Sequence, residues 1–240
     1  MTIKVDMHTH TVASAHAYST VLENMTAAKK AGLEAIGMSD HAGGIEDSPH
    51  RWHFYNMRLL PREIEGVFLL RGIELNILRN GETDYPLKYR ESIDYTIASL
   101  HSQIFLTEDA DETSAIYLKI AKDPLVDIIG HCGEYRFGFD HRKVICEFAQ
   151  TGKIVEMNNH AFRTHEENAK NFRDIAKMCM KYDVPIVVNS DAHFCLSVGK
   201  VDEILQMLDE IQFPEELILN TSLSKIEAYF GAKGRRLIKA

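Results

Sequence analysis

The chain has 240 residues, a formal charge of −8, 45% hydrophobic and 26% charged side chains. That size supports one domain over residues 1–240 with its own core, and the composition excludes a disordered chain. The acidic balance argues against a nucleic-acid groove, which needs clustered Lys and Arg, but leaves room for a small phosphorylated substrate beside divalent cations.

The first β-like run, Ile3–His8, starts without a signal-like stretch before it. A helix follows, opened by the capping-box pair Thr20 and Glu23 and stopped by Gly32. Ala35–Met38 is the second run, and a polar loop extends from Gly43 to about His53. Further runs are Val67–Glu74, Tyr95–Leu100, Val126–Gly130, Ile154–Asn158 and Ile186–Asn189. A helix capped by Thr164 and Glu167, with Phe172, Ile175, Ala176 and Cys179 on its apolar face, separates the last two. Another helix is expected near Val201–Ile211, carrying Ile204, Leu208 and Ile211 on one side. No apolar run approaches the ~18 residues that span a membrane, so a cytoplasmic protein with no membrane partner is expected. A homo-oligomer is compatible with all of this. The four cysteines, Cys132, Cys146, Cys179 and Cys195, form no CxxC pair and read as free, mostly packed thiols.

Alternating strands and helices predict parallel βαβ units. Six of the seven runs end in residues that bind metals: Asp6-Met7-His8-Thr9-His10, Ser39-Asp40-His41, Glu74, His101, His131 and Asp191-Ala192-His193. Strand C-terminal ends meet on one face of a parallel β/α barrel, whereas an open sheet would spread them. A TIM-barrel-like closed form is therefore favoured. Residues i and i+2 share a strand face, so Asp6, His8 and His10 should point together, as should Asp191 and His193. Asp6 and Asp40 are expected to orient imidazoles rather than bind metal. So many histidines and carboxylates exceed the needs of one four-coordinate ion and suit a cluster.

At these residues the chain resembles the PHP (polymerase and histidinol phosphatase) superfamily, and within it the YcdX-like phosphatases. The matching segments are residues 6–10, His16-Ala17-Tyr18-Ser19-Thr20, Ser39-Asp40-His41, Trp52-His53-Phe54-Tyr55-Asn56-Met57, Arg71-Gly72-Ile73-Glu74 and Ser190-Asp191-Ala192-His193. The resemblance implies a distorted seven-stranded (β/α)7 barrel holding three divalent ions, zinc first, with manganese or iron as alternatives. It implies His8, His10, Glu74 and Asp191 around one ion, His16, His41 and His193 around a second, and Glu74, His101 and His131 around the third. His16 enters by the resemblance alone, because it lies in a loop. The segments after His101 (Ser102-Gln103-Ile104-Phe105) and after His131 (Cys132-Gly133-Glu134-Tyr135-Arg136-Phe137) depart from the relatives.

The expected activity is hydrolysis of small phosphomonoesters by metal-activated hydroxide at a trinuclear site, with Glu74, Asp191 and His193 as the catalytic residues. Arg163 is the first candidate to hold phosphate, His160 the second and Arg136 the third. Three alternatives stand beside it: a histidinol-phosphate phosphatase, an amidohydrolase-like C–N hydrolase and a non-enzymatic metal-binding module. No strand-end lysine of the two-metal amidohydrolase kind is present. Trp52, Phe54 and Tyr55 are expected to pack at least in part, and the basic segment 234–239 to be a solvated tail.

Overall fold

The computed structural model describes residues 1–46, 48–85 and 92–237. Its elements are β1 (Val5–Thr9), α1 (Val21–Lys30), β2 (Ala35–Met38), α2 (Trp52–Asn56), β3 (Glu63–Ile64), β4 (Val67–Arg71), β5 (Glu74–Asn76), β6 (Ile97–Ser99), α3 (Ala110–Ala121), β7 (Ile128–Ile129), α4 (His141–Thr151), β8 (Ile154–Asn158), α5 (Asn159–Thr164), α6 (Glu166–Tyr182), β9 (Ile186–Asn189), α7 (Asp202–Glu210) and α8 (Leu223–Ala232). Two sheets form, ordered β1-β2-β4-β3 and β5-β6-β7-β8-β9. All pairings are parallel except the β3–β4 hairpin. Isolated parallel bridges link the sheets at both seams, His41 to Glu74 and Thr9 to Ala192. No described helix is long and apolar enough to cross a membrane.

The expected run Val67–Glu74 divides between the two sheets, β4 pairing with β2 and β5 with β6. The break falls at Gly72, where a Cβ would lie 2.5 Å from Tyr95 Oη and 3.0 Å from Ser39 Cβ. Gly37 of β2 leaves room for the same ring, whose hydroxyl donates to the Met7 carbonyl. Tyr95 is fully buried and has nowhere to retreat. Gly37→Ala should therefore cost about 3 kcal/mol of stability, the upper range for overpacking a core; an unchanged urea midpoint would show that the ring can move aside.

Side chains alternate between two apolar clusters, as strand geometry requires. Val5, Met7, Leu70, Tyr95, Ile97, Ile128, Ile154 and Val187 lie in one, with Leu223, Ile226 and Phe230 of α8. Ile36, Leu69, Ile129, Val155 and Val188 lie in the other, with Phe148 of α4 and Phe172 and Ile175 of α6. Burying each large side chain contributes roughly 1.5–3 kcal/mol.

The Thr20–Glu23 capping box forms as expected, and Ile204 and Leu208 are buried on α7. The cap of α6 differs: His165 accepts from the Glu167 amide, while Thr164 ends a short helix, α5, whose hydroxyl donates to Ala161. The segment 234–239 also differs from expectation. Arg235 pairs with Asp127 and donates to the Asp94 carbonyl, and Leu237 is buried; residues 238 and 239 lie outside the described residues. Phe54 is buried, whereas Trp52 and Tyr55 are exposed.

Candidate metal centre and active site

β1 delivers His8 and His10 through a local irregularity. Its register against β2 shifts between Asp6 and Thr9, so three steps along β1 match two along β2. An extra residue of this kind re-aims side chains. Val5 and Met7 lie in the apolar cluster, while His8 and His10 reach the site. The sequence reading has Asp6 orient an imidazole, but its hydrogen bonds among the described residues come from backbone amides and the Ser190 hydroxyl. Its carboxylate accepts from Ser190 N and Oγ and from Gly199 N, bracing the loop after β9. Asp40 likewise accepts from Thr11 N at 2.8 Å, Ser14 Oγ at 2.8 Å and the His53 ring at 3.0 Å, and so orders the β1–α1 loop around the site.

Glu74, buried at the start of β5, is the centre of the arrangement. Its Oε1 lies 3.2 Å from His101 Nε2 and 3.0 Å from His131 Nε2. Its Oε2 lies 3.3 Å from His8 Nε2, 3.5 Å from His10 Nε2 and 2.9 Å from His41 Nδ1. Asp191 Oδ1 approaches His10 Nε2 at 3.2 Å and His8 Nε2 at 3.5 Å. Asp191 holds a left-handed backbone (φ 54°), a strained conformation for a non-glycine residue that concentrates at functional sites. Asn158 Nδ2 tethers its other oxygen at 3.2 Å. His16 arrives from its loop with its ring 4.4 Å from His193 and 5.1 Å from His41. All nine expected ligands therefore converge on one locus.

Partners on the far side of the rings fix several tautomers. His8 Nδ1 donates to Glu156 Oε1 at 2.7 Å, His101 Nδ1 to Asn76 Oδ1 at 2.7 Å, and His193 Nδ1 to the Asp191 carbonyl at 3.1 Å. In each case Nδ1 carries a proton, and Nε2 is the nitrogen that faces the site. Glu156, on β8, was not among the sequence candidates. It is fully buried and also accepts from Asn189 Nδ2, His131 N and Asn158 Nδ2. An acid inside the apolar run Ile154–Asn158 was the signal that could have found it.

The buried acids and imidazoles shift one another strongly. Burial pushes Glu74 up, yet the His8, His41 and His101 rings hold it well below the usual carboxylate range. Burial and the adjacent His41 hold His10 down to about 3, leaving it a neutral donor. Burial opposes charge on His8, but Glu156, Asp191 and Glu74 outweigh it and raise it well above its ordinary value; the same three acids favour any cation at this place.

The donor set fits divalent metal. His41 Nδ1, Glu74 Oε2, Asp191 Oδ1 and His193 Nε2 are buried without a hydrogen-bond partner, although His41 Nδ1 and Glu74 Oε2 lie only 2.9 Å apart. His8 Nε2 faces His10 Nε2 at 3.1 Å. Unsatisfied buried donors and acceptors are costly, and lone pairs turned towards one another are stable when a cation lies among them. Three overlapping groups have donor atoms within 4.8 Å of one another: His10, His41 and His193; His8, His10 and Asp191; His41, Glu74 and His101. None of the four free cysteines belongs to these groups.

Above this floor opens a cavity of about 440 Å³, bordered by His160, Glu134 and Arg136, with Ser102, Gln103, Ile45 and Glu46 further round. Arg136 and His160, two of the three expected phosphate-binding residues, border this cavity. Arg163 does not border the cavity; its Nε pairs with Glu203 Oε1 at 3.1 Å. Ser102 and Gln103 after His101, and Glu134 and Arg136 after His131, form walls of this cavity.

Parallel strands thus bring imidazoles and carboxylates to one cavity, in groups that could hold metal ions. The chain belongs to the PHP domain family, whose model matches residues 6–231. It is 38% identical to a probable phosphatase of Clostridium novyi over 96% of each chain. It is 37% identical to a probable phosphatase of Aliivibrio fischeri over 100% of this chain and 97% of the other. Among solved structures, the fold is similar to histidinol phosphate phosphatase from Lactococcus lactis, in complex with zinc, L-histidinol and phosphate. That likeness has a TM-score of 0.66 and 16% identity, covering 89% of this chain and 95% of the other. A chain of an archaeal ribonuclease P shares the fold at TM-score 0.60 and 15% identity, over 95% and 88% of the two chains. Family and relatives together support a phosphatase.

Proposed function

We propose that this chain hydrolyses small phosphomonoesters at a site of three divalent ions, zinc foremost, set in a distorted seven-stranded β/α barrel formed by one domain. One observation carries the reading: Glu74 lies among five imidazoles while buried donor atoms around it stay unsatisfied. The barrel is supported by seven parallel runs, counting β4 and β5 as one, and by bridges at both seams between the sheets. His8, His10, Glu74 and Asp191 would hold the first ion, His16, His41 and His193 the second, and Glu74, His101 and His131 the third.

Bound divalent ions supply Lewis acidity and acidified water. The remaining work belongs to the chain. Glu156 and Asn76 fix His8 and His101 in the required tautomer. Arg136 and His160 stand at the cavity where phosphate oxygens need positive charge or donors. Hydrolysis breaks the P–O ester bond, transfers the water oxygen to phosphorus and leaves the alcohol with a proton; Asp191 and His193 border the cavity where that proton is delivered. Arg163, paired with Glu203 outside the cavity, drops out of the substrate-binding set.

The test is a phosphatase screen across sugar phosphates, nucleotides, phosphoamino acids and L-histidinol phosphate, with a carboxamide series alongside. Protein loaded separately with zinc, manganese and iron should release inorganic phosphate, and chelation should lower turnover by at least about a hundredfold. Hydrolysis of amides alone, or phosphate release indifferent to chelation, would refute the reading.

A further inference from the structure

Arg136 borders the cavity above the histidines, a groove beside it and a smaller pocket of about 180 Å³ next to Thr164 and His165. The groove, of about 530 Å³, is lined by Leu106, Thr107, Glu108, Tyr135, Arg136 and Gly138. Groove and cavity share Arg136 as a lining residue, and the walls of the groove come from the chain that follows His101 and His131.

These walls are braced from behind. Phe105 meets Phe137 edge to face, with ring centroids 6.0 Å apart, and joins the two segments. The Tyr135 amide donates to Asn168 Oδ1 at 2.8 Å, and the Tyr135 ring stacks on His165 at 4.3 Å. Thr107 Oγ1 donates to Glu112 Oε2 at 2.6 Å, so its hydroxyl hydrogen is already engaged. Apolar surface nevertheless remains open: Leu106 is 58% exposed and Tyr135 is 43% exposed. Exposed apolar side chains in a concave site next to a few polar groups are the usual make-up of a small-molecule subsite. Glu108 disfavours a second anion in the groove, while Arg136 at the junction suits the phosphate end.

We propose that this groove is the leaving-group subsite, and that the substrates it favours are phosphomonoesters carrying an uncharged aromatic or apolar group. The inference rests on the phosphatase reading above. It assigns selectivity to Leu106 and Tyr135, which contact the leaving group, and leaves the phosphate to the cavity floor.

Two esters of alkyl alcohols, 2-phenylethyl phosphate and ethyl phosphate, present the same reacting bond with and without a ring. Metal-loaded protein should show kcat/KM at least about tenfold higher for the phenylethyl ester, the scale of discrimination that an apolar pocket provides. Leu106→Glu and Leu106→Ser, at an exposed position, should reduce that ratio to under about threefold. Thermal unfolding of both variants reports whether the fold is retained, and the ratio itself is insensitive to partial loss of active protein. Equal kcat/KM for the two esters in the unaltered protein, or a ratio that survives both substitutions, overturns the subsite while leaving the phosphatase reading intact. Failure to hydrolyse either ester, under conditions where no other phosphomonoester is hydrolysed, removes the phosphatase reading and the subsite with it.

Discussion

Glu74→Gln is expected to lower kcat by at least about a thousandfold and to reduce the metal retained after dialysis. The carboxylate touches His101 and His131 with one oxygen and His8, His10 and His41 with the other. An amide removes the negative charge and turns one acceptor into a donor pair facing imidazole nitrogens. Two of the three proposed ion positions share this side chain, so both should weaken together. Steady-state kinetics with metal analysis of the same dialysed samples decides the matter. Full metal content with near-normal turnover would show that Glu74 is structural and that the cluster is organised around another group.

Glu156→Gln should come second, with metal affinity or turnover down about 10- to 100-fold, as for other groups that orient a metal-bound histidine. The change looks conservative and is not. Oε1 accepts from His8 Nδ1 and Asn189 Nδ2, and Oε2 from His131 N and Asn158 Nδ2. Glutamine offers a single acceptor oxygen, so its NH2 must face two donors in a site closed to water. Breaking such a buried charged partnership also costs about 3–5 kcal/mol of stability. Zinc titration by competition with a chromophoric chelator separates the two effects from activity. If zinc affinity is unchanged while only the melting temperature falls, Glu156 supports the fold and does not position His8.

Most of this centre is legible in the sequence because strand ends are where chain order and chemistry coincide. His8, His10, His41, Glu74, His101, His131, Asp191 and His193 each follow an apolar run, and a parallel arrangement brings such ends together. Three features escaped for physical reasons. The partners of Asp6, Ser190 and Gly199, lie 184 and 193 positions further along the chain, so β1 alone could not show them. Glu156 lies within its strand rather than at its end, and its hydrogen-bond partners come from four other positions along the chain. Arg163 and Arg136 have equal charge and similar loop settings in the sequence; only the position of Glu203 on α7 separates them. The division of Val67–Glu74 likewise depends on where Tyr95 packs, 23 residues beyond Gly72 in the numbering.

The placement of α8 has a consequence for how the protein comes into being. Leu223, Ile226 and Phe230 complete an apolar cluster whose other members begin at Val5, and Asn220 Nδ2 bonds the Val5 carbonyl across 215 positions of chain. β1, which delivers His8 and His10, therefore acquires these neighbours only when residues 220–230 have been made. Contacts this distant along the chain slow folding, since a long loop must close before they contribute. His8 and His10 are made well before Glu74 and Asp191, so the nine side chains come together only once β1, β5 and the segment after β9 are all in place.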